Sequence, residues 1–324
     1  MAQAAHAAAR VPTSAIDERI DGALQHLRNP KVQAGVVLGS HARRAMSEFL
    51  HGRDFVEIPP VIVAPVTDPL NHPVSDPRVD YYGHDFQLTR SMIFHKQLAT
   101  LAFEKVFCFS PNLRFEPLDR SGTGRHLVEF TQMDLEVRDA GRDDIMRLVE
   151  EMLTSVVSTV RSRAAPILQE LGRTLPPISS RLRRVRYEDA QKEFGPSFEL
   201  ELSRRAKEPF WIIDIPLLER EFYDREDPKH PGFLLDMDLI YPEGYGEAIS
   251  GGEREHELGR ILERIRAKGQ TPDEFRWYVE AARQGLPPSC GFGIGIERLS
   301  RWLGGLRTVE ETTLFPKRIG AWSL

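Results

Sequence analysis

Three stretches of this 324-residue chain gather side chains able to handle phosphate, a metal ion and a small charged substrate. The segment RFEPLDRSGTGRHLVEFTQMDLE carries Arg114, Glu116, Arg125, His126, Glu129, Phe130, Gln132, Asp134 and Glu136 around a glycine-containing turn. Two strands joined by a mobile basic loop are expected here. Alternation puts Phe130, Gln132, Asp134 and Glu136 on one face of a strand, and Arg114 and Glu116 on one face of its neighbour. A hairpin with a merely solvated, charged face would read the same way. GEAISGGEREHE supplies Glu247, Ser250 and Arg254; with Asp238, the first two offer hard oxygen ligands suited to a Mg²⁺ ion that also binds substrate phosphates. GFGIGIERLSRWLGG sets glycines at every second position and then opens a helix, so that Arg298, early in the helix, could reach a phosphate chain lying across the sheet. Close backbone packing is the plainer use of such glycines. The pattern is G-x-G-x-G rather than the G-x-G-x-x-G of a dinucleotide fold, and no GK[ST] exists for a P-loop.

Side-chain nucleophiles are not evident. The chain has no HExxH and no GxSxG, and Cys108 and Cys290, with no obvious partner histidine, read as small buried apolar residues. His72, His84 and His95 read as structural or surface groups, and Asp224, Glu226 and Asp236 as solvated loop charges. The basic run RLRRVR at 181–186 reads as a solvated face.

The elements that must position these residues alternate without a regular βαβ beat, which predicts an α+β class with an antiparallel sheet flanked by helices. Apolar residues Val36, Val37, Ala42, Met46, Phe49 and Leu50 recur at helical spacing, with Gly52 as the stop. DFVEIPPVIVAPV reads as an extended edge or interface segment, because proline is excluded from central strand pairing. TDPLNHPVSDPRVD (67–80) reads as a loop over a cleft or at the surface. Short strands are expected at Asp85–Thr89, Lys105–Ser110, His126–Val137 and Phe210–Pro216, with a helix at Met92–Phe103 and a charged, proline-broken loop at Glu219–Phe233. A long amphipathic helix follows Gly141, marked by Ile145, Leu148, Val149, Met152, Leu153, Val156 and Val157. Residues 1–30 read as an N-terminal arm or short leading helix, and 31–324 as one catalytic domain.

With 41% hydrophobic and 28% charged residues the chain is globular in composition, and no apolar run approaches the roughly 20 residues that span a bilayer. No export signal is expected at the start. Two distant cysteines exclude a disulfide framework or a CxxC zinc site and fit a reducing cytoplasm. A net charge of −5 argues against a chain built mainly to grip a phosphate backbone.

In this order, FLHGRDFVEIPPVIVAP, RFE…RHLVEFTQMDLE and GFGIGIERL resemble the three signature motifs of class II aminoacyl-tRNA synthetases, and in particular the aspartyl/asparaginyl group. The resemblance runs from about Gly35 to Pro316 and implies the class II synthetase-like catalytic domain and a homodimer. Too few residues precede the first motif for the group's anticodon-binding barrel, so tRNA is not an expected partner. PVTDPL, LTRSMIFHKQL, SPNLRFE, EPFWIIDIP and REFYDRE look like the archaeal-type asparagine synthetase related to asparaginyl-tRNA synthetase. That likeness implies an AMP-forming ligase taking aspartate, ATP and ammonia to asparagine, AMP and pyrophosphate. The alternatives are a paralogue that joins another acid or nucleophile by an amide or ester bond in a specialised pathway, and an inactive dimeric binding module.

The resemblance also distributes roles. It places Arg114 on the α-phosphate, Glu116 on the adenine amino group, Phe130 and Arg298 on the two adenine faces, and Arg125 and His126 on the departing pyrophosphate. Arg298 also lies near the γ-phosphate. Glu247, Ser250 and Asp238 are the implied Mg²⁺ ligands. Lys96 and Arg254 match the pair receiving the aspartate side-chain carboxylate, where a neutral amide would leave both cations underpaired. Gln132, Asp134, Asp68 and Ser91 would surround the α-amino group; the TDPL found where the synthetases have a TEGG-like sequence bears on those contacts. Adenylation builds charge on non-bridging phosphate oxygens, so fixed guanidinium groups and a metal ion suffice as catalysts without a protein nucleophile.

Overall fold

The computed structural model describes residues 13–321 and 323. Its helices are α1 (Thr13–Arg28), α2 (Pro30–His51), α3 (Ile93–Ala99), α4 (Arg142–Arg163), α5 (Ala165–Glu170), α6 (Tyr187–Phe194), α7 (Phe198–Arg205), α8 (Leu258–Ala267), α9 (Arg276–Gln284) and α10 (Ile296–Gly304). Its strands are β1 (Val56–Glu57), β2 (Val63–Ala64), β3 (Arg78–Tyr81), β4 (His84–Leu88), β5 (Lys105–Leu113), β6 (Glu129–Arg138), β7 (Arg184–Arg186), β8 (Phe210–Ile213), β9 (Asp236–Tyr241), β10 (Gly246–Glu253) and β11 (Ser289–Gly295). Eight strands form one sheet in the order β1-β5-β6-β11-β10-β9-β8-β7, while β2, β4 and β3 form a smaller one. The large sheet is antiparallel as expected, except at its two edges, where β1 runs parallel to β5 and β7 parallel to β8. Of the expected N-terminal arm, residues 1–12 lie outside the described residues and α1 is the remainder.

The sheet's two faces are chemically opposite because strand side chains alternate. On one face Met133 and Leu135 of β6, Met237, Leu239 and Tyr241 of β9, and Phe292 and Ile294 of β11 join a single apolar core. α2, α4 and α10 cover that face with Leu38, Met46 and Leu50, with Ile145, Val149, Met152 and Val156, and with Leu299 and Trp302. α2 starts where the Asn29 side chain accepts a hydrogen bond from the Lys31 N–H and Pro30 fits the first turn; it stops at Gly52, whose N–H meets the Glu48 carbonyl. A buried Glu150 in α4 accepts hydrogen bonds from Trp211 Nε1 at 3.0 Å and the Leu182 N–H at 3.2 Å, which ties this core to β8. Among the described residues no helix is long and apolar enough to cross a membrane.

The other face carries Gln132, Asp134 and Glu136 of β6, Asp236 and Asp238 of β9, and the glycines 291, 293 and 295 of β11. α3, α8 and α9 meet there over a second apolar cluster around Phe94, Phe222, Phe275 and Tyr278, leaving a cavity above the polar floor. α3 is shorter than the expected Met92–Phe103, ending at Thr100, whose hydroxyl donates to the Gln97 carbonyl at 2.6 Å. The expected strand at His126 begins only at Glu129, and Arg114 and Glu116 lie just beyond β5 rather than within it.

The floor depends on missing side chains. A Cβ on Gly291 would fall 2.1 Å from the Leu135 carbonyl oxygen and 2.1 Å from Glu136 Oε2. Gly291→Ala is therefore expected to destabilise the fold by about 1–3 kcal/mol through overpacking. Urea denaturation of the two proteins checks this, and an unchanged midpoint would contradict the close approach.

Candidate active site

The polar floor and the surrounding loops enclose a cavity of about 590 Å³ that brings together all of the sequence-predicted site residues save Asp238, which sits beside it on β9. One end is dominated by guanidinium groups. Arg114 lies 5.2 Å above the Phe130 ring and is steadied by its Nε–H on the Arg90 carbonyl at 3.1 Å. Arg125 and His126 follow a left-handed Gly124 that closes a short 3₁₀ turn, Leu118–Thr123. Glu199 of α7 holds this end from behind. It accepts from Arg125 Nη2 at 3.4 Å and from the Glu247 N–H at 3.0 Å. Arg298, in the first turn of α10, reaches Glu247 Oε2 with Nη1 at 3.3 Å.

The electrostatics of this end are lopsided. Burial pushes the Glu247 carboxyl up, but the charges of Arg298, Arg125, Arg220 and Arg114 outweigh it and hold the group down at about 2. His126 is driven the other way. Burial and the neighbouring Arg298 lower its imidazole to about 4, so it stands neutral at pH 7.

The expected metal ligands sit on paired strands, with Ser250 opposite Asp238 in the β10/β9 ladder. Asp238 bonds to Arg220 and is raised to about 6, chiefly by burial. Its Oδ1 is buried without a hydrogen-bond partner. An ionised Glu247, a serine hydroxyl and an orphaned carboxylate oxygen are a donor set that fits Mg²⁺. Among the described residues no three His, Cys, Asp or Glu side chains form a metal cage by themselves.

The opposite end is packed with compensated charge. Lys96 Nζ donates to Asp134 Oδ1 at 2.9 Å and to the Phe292 carbonyl at 2.8 Å. Arg254, 3% exposed, donates from Nε to Glu136 Oε1 at 3.1 Å, from Nη1 to Asp224 Oδ1 at 2.9 Å and from Nη2 to the Gly291 carbonyl at 2.9 Å. Both cations already face carboxylates, so a neutral carboxamide would not leave them underpaired, and the expected preference for a carboxylate loses that support. Asp68 Oδ1 accepts from the Tyr223 hydroxyl at 2.9 Å, Ser91 Oγ from the Ile93 N–H at 3.2 Å, and Gln132 Oε1 from Asn112 at 2.9 Å. Asp134 Oδ2, Asp236 Oδ1 and Glu221 Oε2 are buried acceptors without partners.

Several site residues escaped the sequence reading. Asp224 and Asp236 are buried, at 4% and 1%, not solvated loop charges. Alternation in LLDMDLIY was the available signal, since it puts Asp236 on the same face as Asp238. Arg220, Glu199 and His72 carried no periodic signal at all. The run at 181–186 does lie at the surface, with Arg184 paired to Asp143 at 2.7 Å and Arg186 to Asp214 at 3.2 Å.

A family model described as "tRNA synthetases class II (D, K and N)" matches residues 16–319. The asparagine–tRNA ligase of Roseiflexus castenholzii is 31% identical over 90% of this chain and 71% of that protein. The asparagine–tRNA ligase of Thermococcus kodakarensis is 30% identical over 90% of this chain and 70% of its own length. Asparaginyl-tRNA synthetase from Pyrococcus horikoshii, solved with asparaginyl-adenylate, superposes with a TM-score of 0.85 at 26% identity, over 96% of this chain and 74% of that one.

His126 yields a prediction about stability. Because its pKa is lower folded (about 4) than in an unfolded chain (about 6.5), the unfolded state binds more protons between these values. Its contribution is fully present above about pH 6.5 and is lost as the pH falls through about 4. Subtracting the urea stability of His126→Gln from that of the parent across pH 4–8 should reveal this slope. A flat difference would show that the imidazole is not held neutral.

Proposed function

The chain belongs to the class II tRNA synthetases of the D, K and N type, and we propose that its cavity activates aspartate or asparagine with ATP to form the aminoacyl-adenylate. One observation carries this reading: a cluster of guanidinium groups at one end of a single cavity faces a charge-compensated amino-acid end across a floor of small residues. In the proposed step the amino acid's α-carboxylate attacks the α-phosphorus and pyrophosphate leaves. Arg114 stabilises the charge that builds on the non-bridging oxygens, while Arg125, Arg298 and His126 donate to the departing pyrophosphate. Glu247, Asp238 and Ser250 would hold Mg²⁺, which supplies neutralisation of phosphate charge. The unpartnered oxygen of Asp134 suits an N–H group of an α-ammonium. Lys96 and Arg254 face the side chain.

The acceptor of the activated acyl group divides two readings. The relatives' names favour tRNA as acceptor and asparagine as the amino acid, and the expectation that tRNA is not a partner gains nothing from them. Ammonia as acceptor, with aspartate as the acid and asparagine as the product, rests on the sequence phrases alone. A cytoplasmic location accompanies either reading. ATP–pyrophosphate exchange with each amino acid, followed by presentation of ammonium or tRNA, tests the proposal. Exchange with aspartate or asparagine and AMP as the nucleotide product are expected, whereas ADP as the sole nucleotide product would overturn it.

Arg298→Ala removes a charge-assisted contact of about 1.5–3 kcal/mol, so exchange should slow about 10- to 150-fold. Undiminished exchange in that variant would remove Arg298 from the machinery. We also propose a homodimer through α2 and the following extended segment, where Val37, Ile62 and Val63 stand 39%, 51% and 46% exposed. Light scattering at micromolar concentration should give twice the 36.9 kDa chain mass, and a monomer would contradict it.

A further inference from the structure

We propose that His72 is a positioning residue for purine recognition: reaching in from the 67–80 loop, it fixes Glu116 so that one carboxylate oxygen is kept for a purine's exocyclic amino group. The inference deepens the adenylating function proposed above and rests on it. His72 Nε2 lies 3.1 Å from Glu116 Oε1, and the Glu116 side chain is 3% exposed. Glu116 Oε2 is buried and accepts no hydrogen bond; Arg120 Nε is 3.7 Å away, within ion-pair range only. The carboxylate thus has one oxygen occupied by the loop and one waiting for a donor inside the cavity.

The waiting oxygen is selective by its chemistry. A 6-amino purine offers it an N–H, while a 6-oxo purine presses a carbonyl oxygen against it and leaves the carboxylate unpaired. Glu116 can hold that role only as an anion in a fixed orientation. Burial pushes its carboxyl up, but the hydrogen bond from His72 and the nearby Arg120 guanidinium prevail and keep it below the ordinary range.

The loop carrying His72 has anchors besides the imidazole, whose Nδ1 lies 3.3 Å from Asn71 Oδ1. The Thr67 N–H donates to Gln87 Oε1 at 3.0 Å, the Ser75 N–H to the Phe115 carbonyl at 3.0 Å, and Asn71 Nδ2 to the Glu219 carbonyl at 2.9 Å. Replacing His72 should therefore leave the loop and the fold in place. Its early residue Asp68 contacts Tyr223 at the amino-acid end, so one loop spans both substrates, and His72 is its contact with the purine-reading group.

The test compares the full chain with His72→Ala and His72→Gln, the second keeping an N–H donor, using ATP and ITP in pyrophosphate exchange and in equilibrium binding without amino acid. His72→Ala should raise the KM and Kd for ATP about 10-fold and reduce the ATP-over-ITP preference by about the same factor, because the lost contact is charge-assisted. The KM for the amino acid should change less than about 2-fold, and His72→Gln should recover most of the preference. An unchanged ATP-over-ITP ratio in His72→Ala overturns the proposal. So does a parallel rise in both KM values, which is the mark of a loop clamp. Absence of exchange with every amino acid in the parent would reject the adenylating function, while the two binding constants would still decide the role of His72.

Discussion

The burial of Arg254 is the constraint around which the rest of the site is arranged. A guanidinium at 3% exposure is tolerable only if carboxylates surround it, and here Glu136 rises from the floor strand while Asp224 comes from the Glu219–Phe233 segment. Removing either acid would strand a buried charge, typically worth about 3–5 kcal/mol. That requirement fixes β6, the chain directly after β10 and the 219–233 segment relative to one another, since each contributes a charged member of the group. Lys96 repeats the arrangement one residue pair away, pinned between Asp134 and the Phe292 carbonyl.

The guanidinium end obeys a different rule. Arg114, Arg125 and Arg298 have few carboxylate partners, and Glu247 is held ionised at about 2 by the surplus of positive charge around it. Groups fixed before the nucleotide arrives need little reorganisation as charge moves during the reaction. His126 adds a neutral group here, since its burial, reinforced by the neighbouring Arg298, expels its proton. The two ends thus differ in kind: at one each buried cation faces carboxylates, while at the other guanidinium groups outnumber their acidic partners.

Much of the scaffold was legible because its signals are periodic. The 3/4 spacing from Ile145 to Val157 predicted α4, the run from Val36 to Leu50 predicted α2, and alternation through Phe130 to Glu136 assigned the cavity face of β6. Alternating glycines followed by Arg298 likewise marked β11 and the opening of α10. Where periodicity lapsed, so did the reading. Asp224 lies in a proline-broken stretch that resembles a solvated loop, and its burial follows from a tertiary partner, Arg254, that local sequence does not reveal. The parallel edges made by β1 and β7 were invisible for a similar reason, since pairing direction depends on the distant strands they meet.

The glycine floor has a consequence for how such a site can diverge. At Gly291 and Gly252 a methyl group would fall 2.1 Å from Glu136 Oε2 and from Asp236 Oδ1 respectively, so neither position can grow a side chain without displacing an acid that stands beside the cavity. New substrate preferences cannot be carved from below. They must come from the walls, through the 67–80 loop and the 219–233 segment, which can change length and composition while the floor stays constant. A lineage descending from this scaffold would then look conservative in its strands and inventive in its loops, altering the cargo it recognises while keeping the phosphate chemistry intact.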